Sequence, residues 1–244
     1  MRLTRHCHAL LGFGYVPPWT VNAGIVWGES RTLIVDTGPT AQAAATILGY
    51  AEAVRPGNTI VAIDTERHLD HIAGNALLRS RGIEVHGHPS VRRSDAELAE
   101  DVRAYCESVA DPVRRAAGEG TLPFLDTRIA DPSVDVEHDG VLDLGGIDAR
   151  VLLAPGHTPS NLLVWVAAEG VLYTGDTVVS SYRPNLESGG PAEWRLWLEA
   201  LERVERLEPT TLVPGHGRVL QGAAPIAAEV ARVRRCLREA LERA

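Results

Sequence analysis

Asp64-Thr65-Glu66-Arg67-His68-Leu69-Asp70-His71 is the stretch on which the reading of this chain turns. It follows an apolar run, Thr59 to Ile63, that reads as a buried strand. It opens a segment of helical period running from about Asp70 to Ser80 and ending at Gly82. Four potential metal ligands, Glu66, His68, Asp70 and His71, fall inside it. In a loop, side chains two apart can turn to the same side, whereas the first helical turn aims Asp70 and His71 elsewhere. One segment can therefore serve two adjacent ions.

Working outward, three more polar residues stand where later strands give way to irregular loops. They are His157 in Ala154-Pro155-Gly156-His157-Thr158-Pro159, Asp176 in Tyr173-Thr174-Gly175-Asp176-Thr177, and His216 in Val213-Pro214-Gly215-His216-Gly217. A glycine beside each lets the backbone approach closely, and binding sites in layered α/β proteins gather beyond strand ends. Upstream, Val21 to Trp27 and Thr32 to Asp36 read as a hairpin around Gly28-Glu29-Ser30-Arg31. Thr40 caps a helix running to about Val54, stopped by Pro56-Gly57. Strands follow at Ile83–His86, Val134–Val136, Val141–Leu144, Ile147–Leu153, Leu162–Val166, Val171–Tyr173 and Thr211–Val213. A helix from Pro191 to Leu207 carries Trp194, Trp197, Leu198, Leu201 and Val204 at helical spacing, and a last helix carries Ile226, Val230, Val233, Leu237 and Leu241. From Pro89 to about Gly120 the chain is charged and helical in period, with Leu98, Val102 and Tyr105 on one face. No Ser/Gly-rich linker divides the halves, so one domain over residues 1–244 with a helical insertion at about 89–120 is expected. Two sheets packed face to face with helices outside is the layer solution, an α/β (α+β) fold.

Composition bounds the function. The chain has 244 residues, 24 Lys+Arg against 32 Asp+Glu, and a net charge of -8. With 45% hydrophobic residues and a mean hydropathy of -0.05, it is neither disordered nor collagen-like. An acidic chain is a poor nonspecific nucleic-acid binder, because that binding runs on Lys and Arg. Cys7, Cys106 and Cys236 are odd in number and far apart, which gives no disulfide framework and points to a reducing compartment. No apolar run approaches the ~18–20 residues that span a bilayer, and no clear signal peptide is seen. A cytoplasmic location without a membrane partner is expected.

The order of motifs resembles the metallo-β-lactamase superfamily, whose pattern is HxHxDH, then GH, GD and a final GH. The similarity runs from Asn22-Ala23-Gly24 and Val35-Asp36-Thr37-Gly38 to Gly217. The resemblance implies an αββα four-layer sandwich and a dinuclear site. In that site Glu66, His68 and His157 would hold one metal, Asp70, His71 and His216 the second, and Asp176 would bridge both. Glu66 departs from the pattern, standing in the place of its first histidine. A carboxylate is an accepted zinc ligand, but its added charge offsets that of the ions, so bound water is less acidified. Two divalent ions are expected, Zn2+ first, with Mn2+ or Fe2+ as alternatives because oxygen ligation is harder.

What the resemblance implies for activity is a metallo-hydrolase. A metal-bound hydroxide, oriented by Asp70, would attack a small-molecule ester, thioester, lactone or amide carbonyl. Among loop residues, Tyr182 can donate to an oxyanion, Arg183 can meet a substrate carboxylate, and Trp19 lies in a loop that can overhang the metals. The helical insertion would roof the pocket or form a homodimer face. Two other readings stay open: a mononuclear iron oxygenase of a thiol-derived substrate using His68, His157 and Asp176, and a metal-depleted, non-catalytic relative. A glyoxalase II-like enzyme would call for a helical substrate domain after His216, where little more than one helix remains. His6, His8, His86, His88 and His138 read as strand, turn or surface positions.

Overall fold

Strands buried on both faces must be apolar along their whole length, and the side each residue faces then sorts the core into layers. The computed structural model describes residues 1–14, 20–108 and 128–244. Among these, one six-stranded sheet runs in the order β1 (Cys7–Phe13), β2 (Val21–Trp27), β3 (Arg31–Val35), β4 (Thr59–Ile63), β5 (Glu84–Gly87), β6 (Val134–Asp135). The other contains β7 (Gly140–Asp143), β8 (Asp148–Leu153), β9 (Leu162–Val166), β10 (Val171–Tyr173), β11 (Thr211–Val213) and β12 (Leu220–Gln221), neighbours in that order. The first sheet is antiparallel over β1–β3 and parallel from β3 to β6. The second is antiparallel apart from the β10–β11 pair.

In β9, Leu162, Val164 and Val166 face the first sheet, where they join Val26, Leu33, Val35, Val61 and Ile63. Leu163 and Trp165 face the other way, onto Trp197, Leu201 and Val204 of one helix and Val230, Val233 and Leu237 of another. These helices are Pro191–Arg206 and Ala223–Arg243. On the far side, Ile25, Ile34 and Ala62 pack under Ala44, Ile47 and Leu48. Those three belong to α1 (Ala41–Val54), whose N-cap Thr40 accepts from the Ala43 amide. The order helix, sheet, sheet, helix is the four-layer sandwich expected from the sequence.

Three elements differ from the expected ones. The helix read at 70–80 is two short helices, α2 (Leu69–Ile72) and α3 (Asn75–Ser80), parted at Ala73-Gly74. A Cβ on Gly74 would stand 2.3 Å from the Thr37 carbonyl, so the break lets this segment dock against the end of β3. β1 is absent from the expected strands: its pairing with β2 is irregular between Leu10 and Phe13, which blurs the alternation that marks a strand. β12, also unexpected, has only two residues. Of the expected insertion, the described part holds a 3-10 turn at Pro89–Val91 and α4 (Asp95–Ser108); residues 109–127, and the side chain of Tyr105, lie outside the described residues. Leu98 and Val102 pack on Leu69 and Ala73, which sets α4 beside the histidine-rich loop.

The two sheets are tied together at the end where that loop lies. The Asn22 amide donates to Gly215 O at 2.7 Å, and its side chain donates to Pro214 O and Gly217 O, both at 2.9 Å. The Leu162 amide donates to Thr65 O at 2.7 Å. The Pro191–Arg206 helix, α5, meets the same end: a Cβ on Gly156 would lie 2.4 Å from Trp197 Cα. Gly156→Ala should therefore push α5 from the loop that carries His157. Overpacking of this kind costs roughly 1–3 kcal/mol, read as a lowered midpoint in urea unfolding. An unchanged midpoint would show that the contact has slack.

Candidate metal centre

β3 ends at Val35, and Asp36 follows with φ of 63°, a left-handed conformation that a residue other than glycine seldom holds. That turn sends its carboxylate toward the next loop. Thr65 donates to Asp36 from its amide at 2.7 Å and from its hydroxyl at 2.8 Å, and His71 Nδ1 donates to Asp36 Oδ2 at 2.9 Å. The loop after β4 is thus pinned before α2 begins. Successive positions in α2 then point apart, Asp70 toward His216 and His71 toward Glu66 and Asp176.

The candidate ligands of the sequence all meet here. Their ligand atoms form three groups, each within 4.8 Å: Glu66, His68 and His157; Asp70, His71 and His216; and Glu66, His71 and Asp176. Glu66 Oε1 lies 2.9 Å from His68 Nδ1, 3.3 Å from His71 Nε2 and 3.6 Å from His157 Nε2. His216 Nε2 stands 3.2 Å from Asp70 Oδ2 and 3.3 Å from Asp176 Oδ2. A Cβ on Gly215 would sit 2.0 Å from Asp176 Oδ1, so only glycine lets the last loop close on that carboxylate. The far nitrogens are fixed too: His157 Nδ1 donates to Asn185 O at 3.2 Å and His216 Nδ1 to Thr20 O at 2.8 Å, while His68 Nε2 meets Ser188 Oγ at 3.2 Å. Outer hydrogen bonds of this kind orient imidazoles for metal ligation.

The donor set fits a divalent cation. His71 Nε2 and Asp176 Oδ1 are buried and have no hydrogen-bond partner among the described residues, and buried Glu66 Oε2 faces His68 Nδ1 at 2.8 Å. With Nδ1–H given to Asp36, His71 turns Nε2 toward carboxylate oxygens of Glu66, Asp176 and Asp70 at 3.3, 3.5 and 3.9 Å. Carboxylates do not gather round a buried nitrogen in a dry interior unless positive charge, a proton or a cation, offsets their repulsion. Protonation shows the same demand. Burial opposes charge on His71 and His216, but surrounding carboxylates outweigh it and carry both imidazoles well above their usual range. Burial likewise opposes ionisation of Glu66 and Asp176, yet the histidines hold both carboxyls well below theirs.

A cavity of about 460 Å³ opens over this cluster, lined by His68, Asp70, Asp176, His216, Arg93 and Tyr182, with Arg183, Asn185 and Glu187 further out. Tyr182 and Arg183 line this cavity; Trp19 lies outside the described residues. Sequence reading assigns Asp36 no role beyond its motif segment, because its work depends on a positive φ. It places Trp197 in the core, where it is, but not against His157, with ring centroids 5.0 Å apart. Arg93, on the pocket wall and bonded to Asp101 and Arg67 O, carries no signal in the sequence either. Other histidines stay apart from the cluster: His6 pairs with Glu169 at 2.5 Å, His86 lies 3.9 Å from Glu84, and His88 meets Ser90.

The Metallo-beta-lactamase superfamily profile matches residues 16–216. Hydroxyacylglutathione hydrolase of Xanthomonas campestris pv. campestris is 29% identical, over 82% of this chain and 62% of its own length. The probable metallo-hydrolase YqjP of Bacillus subtilis is also 29% identical, over 82% of this chain and 69% of its own. The chain thus spans under two thirds of the length of the Xanthomonas relative. Among solved structures, a metallo-beta-lactamase from Pontibacter korlensis superposes with a TM-score of 0.68 at 17% identity, covering 98% of this chain and 97% of the other. A metallo-beta-lactamase family protein from Thermus thermophilus gives 0.69 at 20% identity, covering 99% and 82%. These two likenesses show the fold.

Because the surrounding carboxylates raise the proton affinity of His71 and His216, a divalent ion competes with protons for both. Metal uptake at pH 7 should release protons, and apparent affinity should fall as the pH is lowered. Calorimetric titration in buffers of different ionisation enthalpy reads this directly; a buffer-independent heat would contradict it.

Proposed function

We propose that this chain, which belongs to the metallo-beta-lactamase superfamily, is a metal-dependent hydrolase of a small molecule bearing an ester, thioester, lactone or amide carbonyl. One observation carries the reading: ligand atoms of Glu66, His71 and Asp176 lie buried within 4.8 Å of one another, His71 Nε2 and Asp176 Oδ1 without a hydrogen-bond partner among the described residues, and Asp176 lines an open cavity. The name of the Xanthomonas relative supports acyl-group hydrolysis as the reaction class.

Glu66, His68 and His157 would hold one ion, Asp70, His71 and His216 the other, with Asp176 between them. Bound divalent ions, Zn2+ first and Mn2+ or Fe2+ as alternatives, supply an acidified water and an electrophilic grip on the carbonyl oxygen. The chain's own residues do the rest. Asp70 reaches the cavity wall, so its carboxylate can orient a water and take its proton. Tyr182 makes no hydrogen bond among the described residues, which leaves its hydroxyl to donate to the oxygen that gains charge. Arg183 is exposed at the rim without an ion pair among the described residues, a place to receive a substrate carboxylate. An iron oxygenase needing only His68, His157 and Asp176 would leave Asp70, His71 and His216 without a task. A metal-depleted relative would have no use for the unpartnered atoms.

No helix among the described residues is long and apolar enough to cross a membrane. A small-molecule substrate accords with the cavity, and a location in the cytoplasm with the cysteine usage.

A panel of p-nitrophenyl ester, acyl thioester, homoserine lactone and phosphodiester, run with Zn2+, Mn2+ and Fe2+, tests the reading. Turnover is expected on a carbonyl substrate, and Asp70→Asn should lower kcat by about 100-fold or more. No carbonyl hydrolysis by a protein carrying its metal would refute it. Arg183→Ala should raise KM for an acyl group bearing a carboxylate by about tenfold with kcat little changed; an equal KM would remove Arg183 from the substrate site.

A further inference from the structure

Glu66 belongs to two of the three ligand groups at once. We propose that its carboxylate is shared between the two metal positions, so that this chain carries two shared carboxylates, Glu66 and Asp176. This rests on the two-position metal centre proposed above and changes what the glutamate does there: it does not stand in for a histidine that serves one ion.

Both acids face the same two imidazoles, His71 and His157. Asp176 lies 3.5 Å from His71 Nε2 through Oδ1 and 3.6 Å from His157 Nε2 through Oδ2, so it touches one imidazole of each cluster. Glu66 reaches the same two nitrogens through one oxygen, Oε1, at 3.3 Å and 3.6 Å, while its Oε2 stands 2.8 Å from His68 Nδ1. Its side chain is fully buried, with no arginine paired to it among the described residues, so the histidines of the cluster are its charge partners. A histidine offers one lone pair at a time to a metal, whereas a carboxylate has two oxygens and can hold two ions. His71 Nε2 thereby faces three carboxylates, Glu66, Asp70 and Asp176. That position is richer in oxygen than the one at His68 and His157, and is the better suited to Mn2+ or Fe2+ against Zn2+.

Metal titration of the full chain, followed by calorimetry and elemental analysis with Mn2+ and with Zn2+, separates sharing from single ligation. His68→Ala removes a ligand of one position and marks what losing that position alone looks like. Glu66→Ala is expected to weaken both binding steps by at least about tenfold. Glu66→Gln keeps the shape and one ligating oxygen, and should recover one step only. If Glu66→Ala reproduces the His68→Ala profile, with one step lost and the other within about twofold of wild type, the carboxylate serves a single position and the proposal falls. A wild-type chain that binds no divalent ion overturns both this assignment and the hydrolase reading. One that binds two ions and hydrolyses nothing leaves the assignment standing and removes the hydrolase.

Discussion

Four carboxylates, Asp36, Glu66, Asp70 and Asp176, are buried around the imidazoles of His71, His157 and His216 at one end of a two-sheet sandwich. Like charges in a dry interior repel, and burying them costs several kcal/mol per ion unless positive charge and hydrogen bonds offset the loss. The rest of the molecule is arranged around that constraint. Both sheets contribute to it: the loops after β3 and β4 from the first, and those after β8, β10 and β11 from the second. The fold brings them together through strand ends and not through a contiguous motif.

Such a cluster persists because the scaffold over-determines it. Asn22 holds the last loop with three hydrogen bonds, and the Thr65 carbonyl links the first loop to β9. Asp36 holds Thr65 and His71 together from a left-handed backbone conformation, a strain of order 1–3 kcal/mol that its three hydrogen bonds offset. Behind His157, the indole of Trp197 fills the space to α5 and donates to Thr177 O at 2.8 Å. The positions of the candidate ligands are therefore set by core packing on one side and backbone hydrogen bonds on the other. Loop substitutions around the cavity can change what is bound without disturbing the floor.

Much of this is legible in the residues. The unbroken apolar run Leu162–Val166 and the capped helix after Thr40 give the layers, because burial on both faces leaves a clear signature. The clustering of Glu66, His68, Asp70 and His71 on one short loop gives half the site directly. His157, Asp176 and His216 are recognisable by their glycines, since each loop must pack closer than a Cβ allows. What stays hidden depends on distance in space. The broken helix at Gly74 follows from the approach of Thr37, β1 is masked by a register shift, and the Asp36–His71 bond needs a dihedral that the sequence does not display. The double role of Glu66 is of the same kind, since it emerges only when His71 and His157 are seen against one carboxylate.

In the proposed reading, substrate choice would rest on a different part of the molecule, the cavity wall formed by α4, Arg93, Tyr182 and Arg183, which the candidate ligands do not dictate. Beneath it lies the candidate metal centre of Glu66, His68, Asp70, His71, His157, Asp176 and His216. Elemental analysis of the protein purified without chelator measures that most directly. About two divalent ions per chain are expected, lost together with a fall in melting temperature on exhaustive chelation. A protein free of metal, with the same melting temperature before and after chelation, would contradict it.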